Sequence, residues 1–418
     1  MNREKEWILS TNLYEVNLRQ YTHAGTFNAF KEHLPRLKEM GVETLWFMPL
    51  TPIAQKNKKG SLGSYYACSD YTAINPEFGT EGDWIALVAA AKKLGLRILI
   101  DWVANHTGWD HKWTISNPEW YLKDESGEFK KASGMDDIIE LDFNNREMRR
   151  EMIACMLHWL KKYDIDGFRC DLASWVRADF WKEAKQETDK IKPLFWLAEA
   201  DALENPEYME VFDAAYTWKW MHRTQAYYNG ETNFAELLSI LHQYRNAPGY
   251  PTWFTSNHDE NSWNGTEYEK YGDMAEMLAV FGITFPGIPL MYSGQELPNH
   301  KRLAFFDKDH IEWNEHPSMQ DFYGRLLRLK KQHPCLRADL GLERIHSSAD
   351  EKCFCFIRKY NNDEILVCLN FSSQQIKFEI YDERVKGIFK DFLSGEAIDF
   401  SLKRTAYLPS YGYLIALK

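Results

Sequence analysis

Charged side chains stand at the ends of apolar, strand-like segments of this chain, where a buried core has no need of them. The stretch "DIDGFRCDLASW" places Arg169 and Asp171 two apart in a predicted strand, Ile165 to Leu172. Because side chains alternate along a strand, both charges lie on the same face. Burying an ion pair costs the free energy of removing both charges from water, so the pair is weak evidence for stability. The pair is therefore either a structural salt bridge or part of a site that needs charge.

Residues of the same kind follow other predicted strands. They are Asp101, Asn105 and His106 in "DWVANH", Glu199 in "LAEA", and His258 and Asp259 in "SNHDE". The set combines carboxylates, imidazoles and a guanidinium, and it contains no Cys/His cluster suited to zinc or iron. This composition indicates acid–base chemistry on a polyol and predicts no metal in the reaction.

Asp171 and Glu199 end consecutive predicted strands. Neighbouring strands lie about 4.7–4.9 Å apart, close to the 5–5.5 Å or so that separates the two carboxyl groups of a retaining glycoside hydrolase. We expect Arg169 to keep Asp171 ionised by lowering its pKa. We expect Glu199, in the apolar "FWLAEA", to stay protonated. Two environments would then give the two carboxyls different roles.

The elements that must position these residues alternate between helix and strand up to about residue 333. One helix is predicted over "TFNAFKEHLPRLKEMG", because Phe27, Phe30, Leu34, Leu37 and Met40 have helical spacing and Gly41 ends the pattern. Eight strand-like segments are found: "NLYEVNL", "ETLWFMPL", "LRILIDWV", the Arg169 strand, "LFWLAEA", "VFDAAY", "TWFTSN" and "GIPLMYS". Eight such units predict an α/β fold, a parallel (β/α)8 TIM barrel with its chemistry at the carboxyl ends of the strands.

The barrel is predicted over residues 1–334, with one long excursion after the third strand. About forty residues there, rich in Gly, Asp and Trp, predict an inserted lid subdomain over residues 107–144. Residues 335–418 contain "KCFCFIRKY", "EILVCLNF" and "IKFEI", which predict a C-terminal antiparallel β domain.

Composition limits the partners and the compartment. The net charge is −11 with no Lys/Arg block, which argues against nucleic acid and anionic membrane and favours a neutral substrate. Seven cysteines without C-x-x-C spacing are expected to be buried, reduced thiols. The amino terminus lacks an apolar signal core, so the sequence as it stands predicts a cytoplasmic protein. A secreted or periplasmic protein is the alternative if a signal peptide has been removed.

Over almost its whole length the chain resembles the α-amylase family of glycoside hydrolases. The blocks "GVETLWFMP", "DWVANH", "LDFNN", "GFRCD", "LAEA", "SNHDE" and "GIPLMYSGQE" occur in family order. The resemblance implies that Asp171 is the nucleophile, Glu199 the acid/base and Asp259 a third carboxylate that grips sugar hydroxyls. It implies further that His106, Arg169 and His258 surround the central sugar, that Tyr66 in "YYACSDY" stacks beneath it, and that Asp101 and Asn105 give structural support.

Some positions depart from the family pattern. Ser64 stands where many members have a histidine, and "CDLASW" lacks the usual lysine and histidine after the nucleophile. Asn144 replaces an aspartate that the resemblance implies as a calcium ligand. We therefore expect no cofactor, and calcium is not expected at the usual family site despite Asn105. Calcium elsewhere stays open, because "DESGE" and "GMDD" are acidic loops.

The expected substrate is an α-glucan or malto-oligosaccharide. A short lid favours an open groove and hence endo-acting cleavage of α-1,4-glucosidic bonds in starch or maltodextrin, through a covalent glucosyl-enzyme. The alternative is an exo-acting α-glucosidase or a glucosyl transferase on short malto-oligosaccharides. A catalytically dead scaffold is disfavoured because all three carboxylates are present. Five tryptophans near strand ends either stack on further sugars or pack in the core: Trp102, Trp109, Trp113, Trp175 and Trp263.

Overall fold

The first ten strands build the barrel and one small ribbon beside it. A computed structural model describes residues 3–418. These strands are β1 (Leu13–Val16), β2 (Thr44–Phe47), β3 (Arg97–Trp102), β4 (His106–Gly108), β5 (Ile138–Glu140), β6 (Gly167–Cys170), β7 (Phe195–Asp201), β8 (Ala214–Tyr216), β9 (Tyr250–Trp253) and β10 (Ile288–Tyr292). All except β4 and β5 pair in parallel, and β10 pairs with β1 to close the ring. The predicted eight-stranded parallel barrel is confirmed.

Helices connect the barrel strands and pack their apolar faces against them. They are α1 (Leu18–Tyr21), α2 (Phe27–Lys31), α3 (Leu34–Met40), α4 (Glu81–Lys93), α5 (Trp113–Ser116), α6 (Arg146–Tyr163), α7 (Ala178–Asp189), α8 (Trp218–Tyr228), α9 (Phe234–Asn246), α10 (Glu267–Tyr271), α11 (Ala275–Thr284) and α12 (Gln320–Gln332). Short 3-10 helices cover Arg3–Ser10, Pro118–Trp120, Ala132–Gly134, Ala173–Trp175, Pro206–Glu210, Gly272–Met274 and Pro334–Leu336, and a π-helical turn covers Glu260–Asn264. The barrel core and the helix faces form one continuous apolar cluster.

The first predicted helix is in fact two helices. The break lies between α2 and α3, where Pro35 occupies the first turn of α3. Proline lacks the N–H that would continue α2, and its ring clashes with the preceding turn, so a new helix begins there. The five predicted core residues are all buried, and α3 ends at Gly41, whose φ is +102°. The apolar face is therefore buried on both sides of the break.

The segment between β3 and α6 folds over the barrel mouth around the ribbon of β4 and β5. His106 pairs with Glu140 at its base, and the backbone N–H of Leu141 donates to the carbonyl of Asn105 at 3.0 Å. The ribbon is therefore anchored directly above β3. The limits of the inserted subdomain, 107–144, stay a prediction.

After α12 the chain forms antiparallel sheets. Their strands are β11 (Glu343–Ile345), β12 (Cys353–Tyr360), β13 (Asp363–Asn370), β14 (Ile376–Glu379), β15 (Ile388–Asp391), β16 (Ala397–Asp399), β17 (Thr405–Leu408) and β18 (Tyr413–Leu417). One sheet has the order β11-β12-β13-β18-β15-β16, and β14 pairs with β17. The predicted C-terminal antiparallel β fold is confirmed, whereas the boundary at 334/335 stays a prediction.

Two predictions from composition can also be compared with the structure. All seven cysteines are free and buried, as expected. No helix in residues 3–418 combines the length and the apolar character that crossing a bilayer requires.

Gly167 is required where β6 passes between its neighbours. A Cβ built at this position would lie 2.1 Å from the carbonyl oxygen of Phe195 and 2.7 Å from Leu99. We predict that Gly167→Ala destabilises the fold by about 1–3 kcal/mol, because overpacking forces the barrel strands apart. Thermal unfolding measures the change. Gly341→Ala is the control, since a Cβ there has no heavy atom within 4 Å. Equal unfolding midpoints for the two variants would contradict the prediction.

Candidate active site

The Arg169 guanidinium joins carboxylates from three neighbouring strands. Its Nη1 donates to Asp101 at 2.9 and 3.1 Å and to Asp171 Oδ1 at 3.0 Å. Its Nη2 lies 3.0 Å from Glu199 Oε1. Asp101 lies on β3, Arg169 on β6 and Glu199 on β7, and Asp171 follows β6 directly. The predicted shared face of Arg169 and Asp171 is observed, and the strand is shorter than predicted.

Asp171 is buried, and one of its oxygens is held in place. Oδ1 accepts the Arg169 hydrogen bond, whereas buried Oδ2 has no hydrogen-bond partner in the described part of the chain. Burial and the charge of Glu199 raise the pKa of Asp171 well above its usual range. Arg169 does act to lower that pKa, as predicted from the sequence, but its effect is outweighed. The expected net lowering is therefore wrong.

Glu199 does not have the apolar surroundings expected from "FWLAEA". Its Oε2 accepts the backbone N–H of Leu172 at 2.7 Å, and its Oε1 faces Arg169. Leu172 has a φ of +42°, a left-handed conformation that turns its N–H toward Glu199. The apolar neighbours Leu197 and Ala198 belong to the buried strand, while the carboxyl reaches the barrel mouth.

A second network surrounds His258. Its Nδ1 lies 2.5 Å from Glu15 Oε1, and its Nε2 lies 2.7 Å from the Tyr66 hydroxyl and 3.3 Å from Asp259 Oδ2. The Tyr66 hydroxyl also donates to Asp101 at 3.1 Å. Tyr66 therefore connects the His258 network to the Arg169 network.

The two cleft histidines have opposite electrostatics. Burial opposes the charge of His258, but the carboxylates of Asp259 and Glu15 raise its pKa to about 9. Burial lowers the pKa of His106 to about 4, and its buried Nε2 has no hydrogen-bond partner among the described residues. His258 is thus a cation near neutral pH, and His106 is a neutral group with a free ring nitrogen.

Asp101 and Asn105, which the resemblance implies as structural support, are both buried, and their supporting role stays a prediction. Burial raises the pKa of Asp101 to about 6, although Arg169 acts in the opposite direction. Asp101 accepts hydrogen bonds from Arg169 and Tyr66 and does not line the cleft. Asn105 lies beneath the ribbon, with its amide 3.4 Å from His106 Nδ1.

Five of the predicted site residues open onto one cleft of about 460 Å³, whereas Arg169 and His258 are buried and absent from its lining. Its lining includes Tyr66, His106, Asp171, Glu199 and Asp259, and also Lys59, Ser64, Met135, Asp137, Ile138, Leu172, Trp263, Phe305 and Phe306. Ser64 accepts the Tyr66 backbone N–H at 3.2 Å. Tyr65, the neighbour of Tyr66, is buried against Asn17 and is absent from the lining. The prediction of Tyr66 over Tyr65 agrees with this geometry.

The five candidate tryptophans differ in how far their side chains are buried. Trp102 and Trp113 pack in the core, which removes them as sugar platforms. Trp109 is partly buried and donates its ring N–H to the Asp136 carbonyl at 2.8 Å. Trp175 is 49% exposed but outside the cleft lining, whereas Trp263 is 52% exposed and part of it.

The residues at the family's implied calcium site do not fit a divalent cation. The Asn144 amide oxygen accepts Arg177 Nη1 at 3.0 Å, so a guanidinium already occupies that oxygen. The Asn144 amide donates to Asp142 Oδ1, and the Asn105 carbonyl is taken by Leu141. Within residues 3–418 no group of three or more His, Cys, Asp or Glu side chains has the arrangement of a metal site.

Sequence reasoning missed several residues of the site. Glu15 was detectable, because it is a charged residue inside the buried strand β1, as Arg169 is in β6. Lys59, Asp137, Phe305 and Phe306 lie in loops, where no periodic pattern predicts which way a side chain points.

A closed (β/α)8 barrel whose strand ends carry a carboxylate cluster around one arginine has the architecture of a barrel glycoside hydrolase. Residues 14–119 and 114–326 match the α-amylase catalytic domain, and residues 342–415 match the maltogenic amylase C-terminal domain. The chain belongs to the α-amylase family of glycoside hydrolases.

Individual relatives agree with this assignment. The chain is 27% identical to the α-amylase MalA of Haloarcula japonica over 396 residues, which cover 88% of this chain and 56% of MalA. It therefore spans little more than half of that relative's length. The crystal structure of the maltogenic α-amylase AmyB from Thermotoga neapolitana has a TM-score of 0.89 at 26% identity, covering 98% of this chain and 99% of AmyB. An α-amylase from Lactobacillus plantarum has a TM-score of 0.88 at 26% identity, with the same coverage of both chains.

We predict that His258 is protonated and His106 neutral at pH 7. Nitrogen-15 NMR of histidine-labelled protein distinguishes the two forms, and a His258→Gln variant assigns the signal. Because the pKa of His258 is raised from 6.5 to about 9, its stabilising contribution is complete below pH 6.5 and is lost as the pH rises through about 9. Glu15→Gln should lower the pKa of His258 by removing one of the carboxylates. Titration of His258 near 6.5 in the unaltered protein would refute the charge assignment.

Proposed function

We propose that the protein is a retaining glycoside hydrolase that cleaves α-1,4-glucosidic bonds of maltodextrins and malto-oligosaccharides. One observation carries the proposal: Asp171 and Glu199 end adjacent strands, share Arg169 through different nitrogens, and both line the cleft. Adjacent strand ends suit the close spacing of the carboxyl groups in retaining enzymes. The relatives named as α-amylases support the substrate class.

In the proposed reaction Glu199 donates a proton to the glycosidic oxygen while Asp171 attacks the anomeric carbon. The bond to the leaving sugar breaks, and a covalent glycosyl ester forms on Asp171. Glu199 then accepts a proton from water, which attacks the anomeric carbon and releases Asp171. The charge of Glu199 contributes to the raised pKa of Asp171, so a proton on Glu199 favours the ionised nucleophile.

The other lining residues bind the sugar. Tyr66 stacks against the His258 ring, with centroids 5.4 Å apart, and offers a flat face to a pyranose. The unpartnered Nε2 of His106 is available to a sugar hydroxyl. Asp259 places a carboxylate at the cleft, where it binds hydroxyls and favours the oxocarbenium-like transition state.

The mode of attack stays a proposal. The sequence favours endo attack because the lid is short, with exo attack or transfer on short oligosaccharides as the alternative. The structure supports the alternative, because Lys59 and Asp137 form an ion pair at the cleft and join the loops after β2 and β3. The similarity to maltogenic AmyB supports it as well. We therefore favour attack near a chain end.

Asp171→Asn and Glu199→Gln should each reduce hydrolysis of maltopentaose by at least about 10³-fold, since each removes a group required in the transition state. Circular dichroism should show an intact fold. Azide should restore turnover to an Asp171→Gly variant and give the β-glycosyl azide, because a small anion then replaces the missing carboxylate.

Glu204→Gln is the matched control, as Glu204 is an exposed carboxyl shortly after β7 that lies 3.6 Å from Lys219. It should retain full activity. Proton NMR of the first product should show the α-anomer, and an initial β-anomer would contradict the retaining mechanism.

Activity should survive a chelator. The Arg177 guanidinium bound to Asn144 takes the place of a cation at the implied calcium site, so no divalent ion is needed there. Incubation with EDTA should leave both the hydrolysis rate and the unfolding temperature unchanged. Strong loss with EDTA that calcium reverses would overturn the reading of this site.

A further inference from the structure

An aromatic wall extends the cleft away from Tyr66. Tyr66 and Phe305 stack with centroids 6.3 Å apart, and Phe305 contacts Phe306 at 5.0 Å. Trp263 covers both phenylalanines, at 5.4 and 5.6 Å. The wall is built from the loop after β10 and the π-helical turn after Asp259. It offers flat faces for sugars beyond the one at Asp171.

An ion pair stands at the far end of this wall. Lys59 Nζ lies 2.7 Å from Asp137 Oδ1 and 5.7 Å from the Phe306 ring centroid. The Asp137 side chain is only 4% exposed, whereas Lys59 is 34% exposed. Lys59 provides the only salt-bridging cation for Asp137 in residues 3–418. Two groups that line the cleft thus form an ion pair, and the ammonium keeps N–H donors free for a ligand.

Three loops are held together by this arrangement. Lys59 belongs to the loop after β2, and Asp137 precedes β5 in the segment after β3. On the other side, the N–H of Ser61 donates to Asp307 Oδ1 at 2.7 Å, and that of Leu62 donates to the Phe306 carbonyl at 3.0 Å. The loop after β2 is therefore bound both to the segment after β3 and to the loop after β10. The loop after β2 therefore forms a barrier at the cleft, and these contacts set its position.

The barrier lies on the side of the cleft that binds the non-reducing part of the substrate. The acid must protonate the leaving oxygen, so the leaving sugars lie on the side of Glu199. Glu199 is on β7, which lies across the ring from β1, whereas β2 and β10 flank β1. Lys59 and Phe306 follow β2 and β10. The sugars attached to the non-reducing side of the cleaved bond therefore extend toward Lys59.

We propose that Lys59 and Asp137 form an end stop that binds the terminal hydroxyls at the non-reducing end of the substrate. The pair closes the cleft to a continuing chain and sets the length of the sugar released. Lys59 donates to a terminal hydroxyl, and Asp137 holds the ammonium in place. This inference rests on the proposed function and adds the residues that determine its specificity.

The test compares maltopentaose with maltopentaose blocked by a 4,6-ethylidene group at the non-reducing end. The unaltered enzyme should cleave the free substrate at least about tenfold faster, as expected when one charge-assisted hydrogen bond is lost. Lys59→Ala should open the stop, remove most of that difference and release longer products from amylose. Asp137→Asn should shift the products in the same direction. Circular dichroism should show that both variants keep the fold, so that a changed product pattern reports the end stop and not misfolding.

Lys58→Ala is the matched control, because Lys58 is exposed and donates to Gln55 outside the cleft lining. It should retain the product pattern and the discrimination of the unaltered enzyme. If the unaltered enzyme cleaves blocked and free substrates equally and Lys59→Ala changes no product, the end stop is wrong while the proposed function stands. If it cleaves no α-1,4-glucan at all, both are wrong.

Discussion

The structure of the site depends on one constraint, the burial of the Arg169 guanidinium at the centre of the barrel mouth. A cation removed from water needs compensating charge, and Arg169 obtains it from Asp101, Asp171 and Glu199. These partners come from β3, β6 and β7 or directly follow them, so pairing in the sheet and pairing of charges specify the same arrangement. A change in strand register would leave buried charges uncompensated.

The same constraint bears on the charge balance of the site and on the pKa values of its carboxyls. One cation faces three potential anions, and counting His258 with its partners Glu15 and Asp259 leaves two cations facing five carboxyls. His258 supplies a second cation, held by Glu15 and Asp259 and connected through Tyr66 to Asp101. The pKa values of Asp101 and Asp171 are nevertheless raised, because burial contributes more than either cation. The cluster is therefore poised to take up a proton, as acid–base chemistry requires.

Sequence reasoning located the barrel strands because a buried strand leaves a compact apolar run, and any charge within it is conspicuous. It placed Arg169, Asp171, Glu199 and His258 at one mouth because parallel strand ends meet at one edge. It failed on the surroundings of Glu199, since the donor from Leu172 depends on a left-handed backbone turn that strand alternation does not predict. Sequence reasoning could not distinguish the core tryptophans from the one that lines the cleft, because proximity to a strand end does not determine the direction of the ring.

The contrast between strands and loops also explains where family resemblance stops being informative. The strand ends position the side chains of Arg169, Asp171, Glu199 and His258, and these are residues that the family blocks contain. Lys59 and Asp137 are 78 positions apart on separate loops, and they meet only because the ribbon of β4 and β5 and the loop after β2 fold over the same side of the barrel. No sequence period connects them. Reaction chemistry is thus encoded by the scaffold, whereas the length of sugar accepted is encoded by contacts between loops, which can change without disturbing the strands.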